Sequence, residues 1–270
     1  MKARRKIGFV LAASNHGPMI VDRFDRHYVA GGLIGVGGNI LENGTFDPEE
    51  IELVLSLLRY RRRYFGDGVI VVDCGANIGV HTIECAMEMT GWGSVLAIEA
   101  QERLFYALAG NIALNNCFNA SAMNAAVADE DGTMRVPVPD YLKPGSFGSL
   151  ELRSRPENEF IGQNIDYSRN AMKEARTVRL DSLALDRVDL LKIDVEGMEA
   201  EVLAGAAQSI VKHRPIILVE WIKSPKEQLQ GVLRDHGYRV FESGLNLLAI
   251  HETDSTLGDV EQGERSGTQR

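Results

Sequence analysis

The sequence predicts an α/β fold whose sheet is seven-stranded, mostly parallel and closed by a C-terminal antiparallel hairpin. Two observations carry this. From Val69 onward, apolar runs of strand length alternate with helical stretches, the pattern of successive βαβ units. The last two apolar runs, YRVFE and NLLAI, are joined across Ser-Gly, too short for a crossover, so they pair as a hairpin.

Residues 1–46 read as a β-rich cap. The runs IGFVLAA, MIVDRF and GGLIGVGGNI alternate with Asn, Gly and Pro, which suggests small strands and turns rather than helices. No Gly-Lys-Ser/Thr follows the glycines at 31, 32, 35, 37 and 38, so they are not a P-loop. The main domain, 47–250, opens with a helix: Asp47 as N-cap, Pro48 at the first position, Glu50 in capping-box position, and Ile51, Val54, Leu55 and Leu58 on one face. Arg61, Arg62 and Arg63 close it, suited to the helix dipole. VIVVD (69–73), a helix through IECAMEM, SVLAIE (94–99), a helix from Glu102 to about Asn115, and NASAM (119–123) follow.

An insertion from about 128 to 188, carrying Pro137, Pro139, Pro144 and a polar 153–176 stretch, is too long for a simple connection and falls between strands three and four. Alternation resumes with DLLKID (189–194), a helix from Glu199 to Val211, PIILVE (215–220) and a helix from Lys226 to His236. The tail, 251–270, is poor in large apolar residues and is expected to be disordered.

A chain of 270 residues, 44% hydrophobic, suffices for one α/β domain with appendages. Its net charge of -9 argues against nucleic acid as a partner. The basic runs MKARRK and RYRRRY read as a flexible terminus and an exposed helix end. Three cysteines, odd in number and without metal spacing, read as reduced, buried thiols. No apolar run approaches the roughly eighteen residues that span a bilayer, and IGFVLAA is too short for a signal segment, so no membrane partner and a cytoplasmic location are expected.

The chemistry gathers at strand ends. The first strand runs into Asp73-Cys74-Gly75-Ala76-Asn77-Ile78-Gly79 and a helix containing Val80, His81 and Thr82. These glycines let a ligand approach the backbone, but a dinucleotide fingerprint from Gly75 would need glycine where Asn77 and Val80 stand, so a pyrophosphate is not expected. Glu99 closes the second strand, placed to take ribose hydroxyls. Ribose without pyrophosphate points to S-adenosylmethionine. LLKIDVEGMEAEVL (190–203) carries a buried run into Asp194 and Glu196, carboxylates that need a cationic partner. Strand alternation puts Leu190, Lys192 and Asp194 on one face, which offers Lys192. Glu199 and Glu201 read as dipole complement and solvated face.

VVDCGANIGVHT, the acid in AIEA, NAAVADEDGT, RLDSL, LLKIDVEGMEAEVLAGA and PIILVE, in this order, resemble the FkbM family of S-adenosylmethionine-dependent methyltransferases over about residues 41–250. The resemblance implies a Rossmann-like class I methyltransferase fold and methyl transfer, usually to a hydroxyl oxygen of a sugar, polyketide or other secondary-metabolite acceptor. On matching positions it implies Asp73, Gly75, Asn77 and Gly79 at the methionine part, Glu99 at the ribose, and Asn124, Ala125 and Ala126 at the adenine, with Ala76 and Ala100 in the same cofactor site. Asp194 and Glu196 would face the cofactor's ammonium and sulfonium and the incoming nucleophile, and Thr82 would reach its carboxylate from the first turn of the helix. Phe46 has two readings, a cover for the cofactor or a hydrophobic staple.

A hydroxyl acceptor must lose a proton during an in-line displacement. Glu196 is the first candidate base, Asp194 the second and His81 the third. Glu220 closes the fifth strand and, with Asp194 or Glu196, offers oxygen ligands for a divalent metal, although nothing in the sequence demands one. The insertion, with Tyr141, Phe147, Gly148, Ser149, Tyr167 and Arg169, reads as an acceptor-binding element for a small molecule or as a surface excursion or homodimer contact. Trp221 either walls the acceptor pocket or sits in the core. The two functional readings are an S-adenosylmethionine-dependent O-methyltransferase and a non-catalytic module that binds S-adenosylmethionine or adenosine. Asn77 and Val80 disfavour nicotinamide chemistry.

Overall fold

A computed structural model describes residues 6–260. The basic terminus and the end of the tail lie outside the described residues. In chain order the elements are β1 Phe9–Ser14, β2 Gly17–Asp22, β3 His27–Val29, β4 Gly32–Ile34, α1 Val36–Asn43, α2 Pro48–Phe65, β5 Val69–Cys74, α3 Val80–Glu88, β6 Gly93–Glu99, α4 Glu102–Leu114, β7 Ala120–Asn124, β8 Ala126–Val127, β9 Gly132–Val136, β10 Lys173–Val178, β11 Leu190–Ile193, α5 Glu199–Gly205, α6 Ala207–His213, β12 Ile216–Glu220, α7 Lys226–Asp235, β13 Tyr238–Ser243 and β14 Asn246–His251.

The central sheet has the order β13-β14-β12-β11-β5-β6-β7, and only β14 runs antiparallel to its neighbours. This is the predicted seven-stranded Rossmann-like sheet, with its order reversing between β5 and β11. The alternation along each strand explains why both faces are covered. In β11, Leu190 joins the core beneath α2 and α3, while Leu191 and Ile193 join the core beneath α5 to α7. In β12, Ile216 and Leu218 face the first core and Ile217 and Val219 the second. Lys192 lies on the first face between Leu190 and Asp194, so its charge emerges at the carboxyl end of the strand.

Within the insertion, β9 and β10 pair antiparallel and β10 adds β8 in parallel, forming a three-stranded flap beside the main sheet. The N-terminal segment holds two hairpins, β1–β2 and β3–β4. Asn111 on α4 binds the first: its Oδ1 accepts from the Ile20 N–H at 2.5 Å and its Nδ2 donates to the Ile78 carbonyl at 2.8 Å.

Several local expectations need correction. The run from Val36 to Asn43 is helical, not strand and turn, because Asp25 accepts the Gly37 N–H at 2.8 Å and so caps its first turn from outside the helix. Asp47 sits at the N-cap of α2 in a left-handed conformation (φ 42°) and makes no side-chain cap, while Glu50 points away from the helix end. Arg61 is buried rather than exposed; it pairs with Asp189 and Asp254 and stacks on Phe65 at 4.0 Å. The helix expected from Glu199 to Val211 breaks at Ala206. The beginning of the tail is ordered. His251 ends β14, Asp254 and Thr256 are buried, and 256–260 is helical, because Arg61 draws the Asp254 carboxylate inward.

Candidate active site

A cavity of about 1150 Å³ opens at the carboxyl ends of β5, β6, β11 and β12, where the strand order reverses. The β5–α3 loop forms its floor. Gly75 takes φ 82°, and a side chain there would run into the Asp194 carbonyl oxygen. The Gly75 and Ala76 N–H groups donate to the Ile98 carbonyl at 2.9 and 3.1 Å, which holds the loop against β6. Asn77 is left-handed (φ 51°) without being glycine, a strained conformation typical of sites where the surroundings fix the backbone. Asp73 is buried. Its Oδ2 accepts from the Thr82 hydroxyl at 2.7 Å, while Oδ1 has no hydrogen-bond partner among the described residues, nor does the Asn77 Oδ1. Unpaired buried acceptors of this kind are costly unless a donor arrives.

Glu99 accepts the Asn77 N–H at 2.9 Å and the Gln101 N–H at 2.6 Å, so it organises the loop as well as bordering the cavity. Burial pushes its carboxyl up to about 7 despite these two hydrogen bonds. Ala100, Ala125 and Ala126 line the cavity beside it.

At the end of β11, Lys192 Nζ lies 3.2 Å from Asp194 and 3.9 Å from Glu50. Burial alone would lower the Lys192 pKa, but the charges of Asp194, Glu50 and Asp73 more than offset it and the ammonium is held well above its ordinary value. Glu50 also meets His81 Nε2 at 3.1 Å and accepts from Asn246 Nδ2 at 2.8 Å. Burial raises its pKa, yet the hydrogen bond from His81 and the Lys192 charge win and bring it down to about 2.

Two residues on, Glu196 is left-handed (φ 57°), again without being glycine. Its Oε2 lies 2.6 Å from Lys223 Nζ, which also donates to the Ser149 carbonyl at 2.7 Å and meets Glu159 at 3.0 Å. Lys223 thus ties the insertion to the strand end. Asp194, Glu196 and Glu220 bring one oxygen each within 4.8 Å of one another. Burial first, and then the neighbouring carboxylates, raise both Glu196 and Glu220 far above the usual carboxylate range.

The predicted residues divide cleanly. Phe46, Asp73, Gly75, Ala76, Asn77, His81, Glu99, Ala100, Ala125, Ala126, Gly148, Ser149, Asp194, Glu196 and Glu220 line the cavity. Thr82 does not; it is fully buried and turned to Asp73. Gly79 caps α3 against Leu108. Asn124 spends its amide on the Glu99 and Ala100 carbonyls. Phe147, expected at the acceptor, is fully buried against Tyr141 at 4.8 Å, with its N–H donated to Asp25 and its carbonyl accepting from Gln101. Trp221 packs with the core beneath α7 and carries Lys226 over its ring, outside the cavity wall. Tyr141 and Tyr167 donate to Gln101 and the Glu151 carbonyl, and Arg169 is exposed. Glu199 is corrected outright. It is buried, accepting the Gly197 N–H at 3.0 Å and the Ser224 hydroxyl, and so braces the turn that presents Glu196.

Glu50 and Lys223 escaped the sequence reading. Glu50 carried a signal that admits two meanings, since an acid three residues after Asp47 fits a capping box as well as a site. Lys223, three residues past Glu220, carried none.

A family model described as the methyltransferase FkbM domain matches residues 73–240, more than half of the chain. Methyltransferase sdnD of Sordaria araneosa is 26% identical over 191 residues, covering 63% of this chain and 73% of that protein. Methyltransferase 1 of Beauveria bassiana is 27% identical over 151 residues, covering 52% of this chain and 59% of that one. The solved methyltransferase FkbM from Methylobacillus flagellatus KT aligns with a TM-score of 0.47 at 18% identity, over 71% of this chain and about half (48%) of its own length. With the motif positions at one cavity and the family model spanning them, the chain belongs to the FkbM methyltransferase family.

Proposed function

We propose that this protein transfers a methyl group from S-adenosylmethionine to a hydroxyl oxygen of a small-molecule acceptor, with Glu196 as the base. The observation that carries this is Glu196 itself: a carboxyl held on a left-handed backbone, largely buried, and turned into the cavity beside Asp194 and Glu220. A carboxyl raised by burial and like charges is a stronger base than a solvated one.

The residues present fit the cofactor. The unpaired Asp73 Oδ1 and the backbone opening at Gly75 suit a cationic amino-acid portion. Glu99 suits the ribose, and the alanines at 125 and 126 leave space for a flat base. When bound, S-adenosylmethionine supplies an electrophilic methyl group on a sulfonium. The protein's own part is to orient the acceptor, exclude water and receive the hydroxyl proton at a Glu196 carboxylate oxygen. Lys223 holds the Glu196 carboxylate in place through Oε2.

Asp194, Glu196 and Glu220 also match the oxygen ligands of a hard cation. Lys192 and Lys223 already stand against two of the three, so we expect turnover to survive chelation; loss restored by Mg²⁺ would assign the triad to a metal. The base assignment is tested with Glu196→Gln, which is expected to bind S-adenosylhomocysteine normally and lose about 10²- to 10⁴-fold in kcat. Full activity would remove Glu196 as base.

A further inference from the structure

Past the carboxylates, the cavity changes character. Its outer wall is built from the turn between β13 and β14 and from the loop after β12, joined where the Trp221 N–H donates to the Leu245 carbonyl at 3.2 Å. Two large apolar side chains stand on this wall, both lining the cavity: Ile222, 49% exposed, and Leu245, 57% exposed. Pro48 and Leu53 of α2 face the same space, and the Asn246–Glu50 hydrogen bond holds that helix against the turn.

Leu245 is out of place by local rules. Tight hairpin turns favour Gly, Asn, Asp and Ser, and the residue before it, Gly244 (φ 58°), follows that rule. A leucine there contributes little to the turn and exposes apolar surface to water, a loss recovered only when something covers it. The volume points the same way. At about 1150 Å³ the cavity exceeds the usual size for one small ligand, so a second ligand fits beside the cofactor. Glu220 pairs with Asn246 across the β12–β14 ladder, so this apolar ledge begins one residue from the acid cluster.

We infer that Ile222 and Leu245 form the acceptor's apolar subsite, and that the acceptor is amphipathic, with a hydroxyl directed to Glu196 and a hydrocarbon ring or chain lying on the ledge. This rests on the methyl-transfer reading for the identity of the occupant. A small, wholly polar sugar would leave the ledge uncovered.

A binding series tests it without turnover. Straight-chain primary alcohols from ethanol to octanol are titrated against the full chain by ligand-observed NMR, with and without S-adenosylhomocysteine. Affinity is expected to rise about fourfold per methylene over the length of the ledge, the increment for burying one CH₂. The double variant Ile222→Ser, Leu245→Ser is expected to flatten that slope while retaining S-adenosylhomocysteine affinity and melting temperature, and Ile222→Leu with Leu245→Met to restore it. A flat slope in the wild type, or an unchanged slope in the serine variant, overturns the assignment. So does a dimer that dissociates in the serine variant, because the ledge would then belong to a second copy. The outcome is separate from that of Glu196→Gln, which reads the chemistry alone.

Discussion

At the residue scale the site is governed by crowding of like charge. Burial and crowding against the Asp194 charge raise Glu220 far above the ordinary carboxylate range, and Glu196, raised in the same way, keeps its proton well above that range too. Activity is therefore expected to rise with pH as that proton leaves. Asp194→Asn removes the strongest repelling charge, lowers the Glu196 pKa and moves the ascending limb of kcat/KM to lower pH. Lys223→Gln removes an attracting charge and moves it the opposite way, by roughly one to three pH units in either case, while Lys223→Arg keeps the wild-type profile. Coincident profiles for all three variants would show that Glu196 is not the titrating group. None of this was legible in the sequence beyond Asp194, Glu196 and Glu220, because the balance depends on Lys223 and Glu50, which reach the cavity through folds of the chain that no local spacing reports.

Among the elements, the β5–α3 loop and the β11–α5 turn behave as one object. Gly75 lies so close to the Asp194 carbonyl that even a methyl group forces the two strand ends apart. Gly75→Ala, strained also by its φ, is expected to destabilise the fold by more than about 1 kcal/mol and to weaken S-adenosylhomocysteine binding, measured together by melting and calorimetry. Asp25 performs a similar joining task outside the sheet. Its two oxygens accept the N–H groups of Gly37 and Phe147, connecting α1 to the insertion. Asparagine offers one acceptor where two are needed, so Asp25→Asn should cost about 1–3 kcal/mol. The strands and the longer helices were legible because period-two and period-3.6 patterns encode them directly. Helix α1 was not, since glycine-rich GGLIGVGGNI lacks helical propensity and is capped by a residue twelve positions away. Phe147 misled for a related reason: an aromatic beside Gly148 and Ser149 fits a binding loop as well as a core, and only the Tyr141 contact decides between them.

Across the whole molecule, a buried ion cluster joins α2 to the start of β11 and to the segment after β14. Arg61 bonds Asp189 at the start of β11 and Asp254 beyond β14, and Arg187 also meets Asp189 at 2.7 Å. Arg61→Met would strand two buried carboxylates and is expected to cost about 3–5 kcal/mol, a fall of roughly ten degrees in Tm. Stability should also depend on pH with a definite sign. Burial pushes Asp22 and Asp25 up to about 6 and Glu99 up to about 7, and a carboxyl with a raised folded pKa stabilises most when protonated. Those contributions are full below the unfolded values of 3.8 and 4.5 and are lost as pH rises through 6 to 7. Glu50 acts in reverse, its contribution present above 4.5 and lost as pH falls toward 2. In the absence of ligand Tm is therefore expected to decline between about pH 5 and 7.5, and a rise over that window would contradict the assignment of these groups.

The family model ends at residue 240 and begins at 73, yet Glu50 and Asn246 lie outside it on either side and meet over His81 and Lys192 inside. The matched segment is therefore not electrically self-sufficient. A chimera that carried 73–240 into the flanks of another protein would bring the ammonium of Lys192 with Asp194 but without Glu50, the second carboxylate that faces it, and the imidazole of His81 without its anchor. The smallest portable unit of this methyltransferase runs at least from Glu50 to Asn246, and exchanging parts between relatives calls for cutting outside that span.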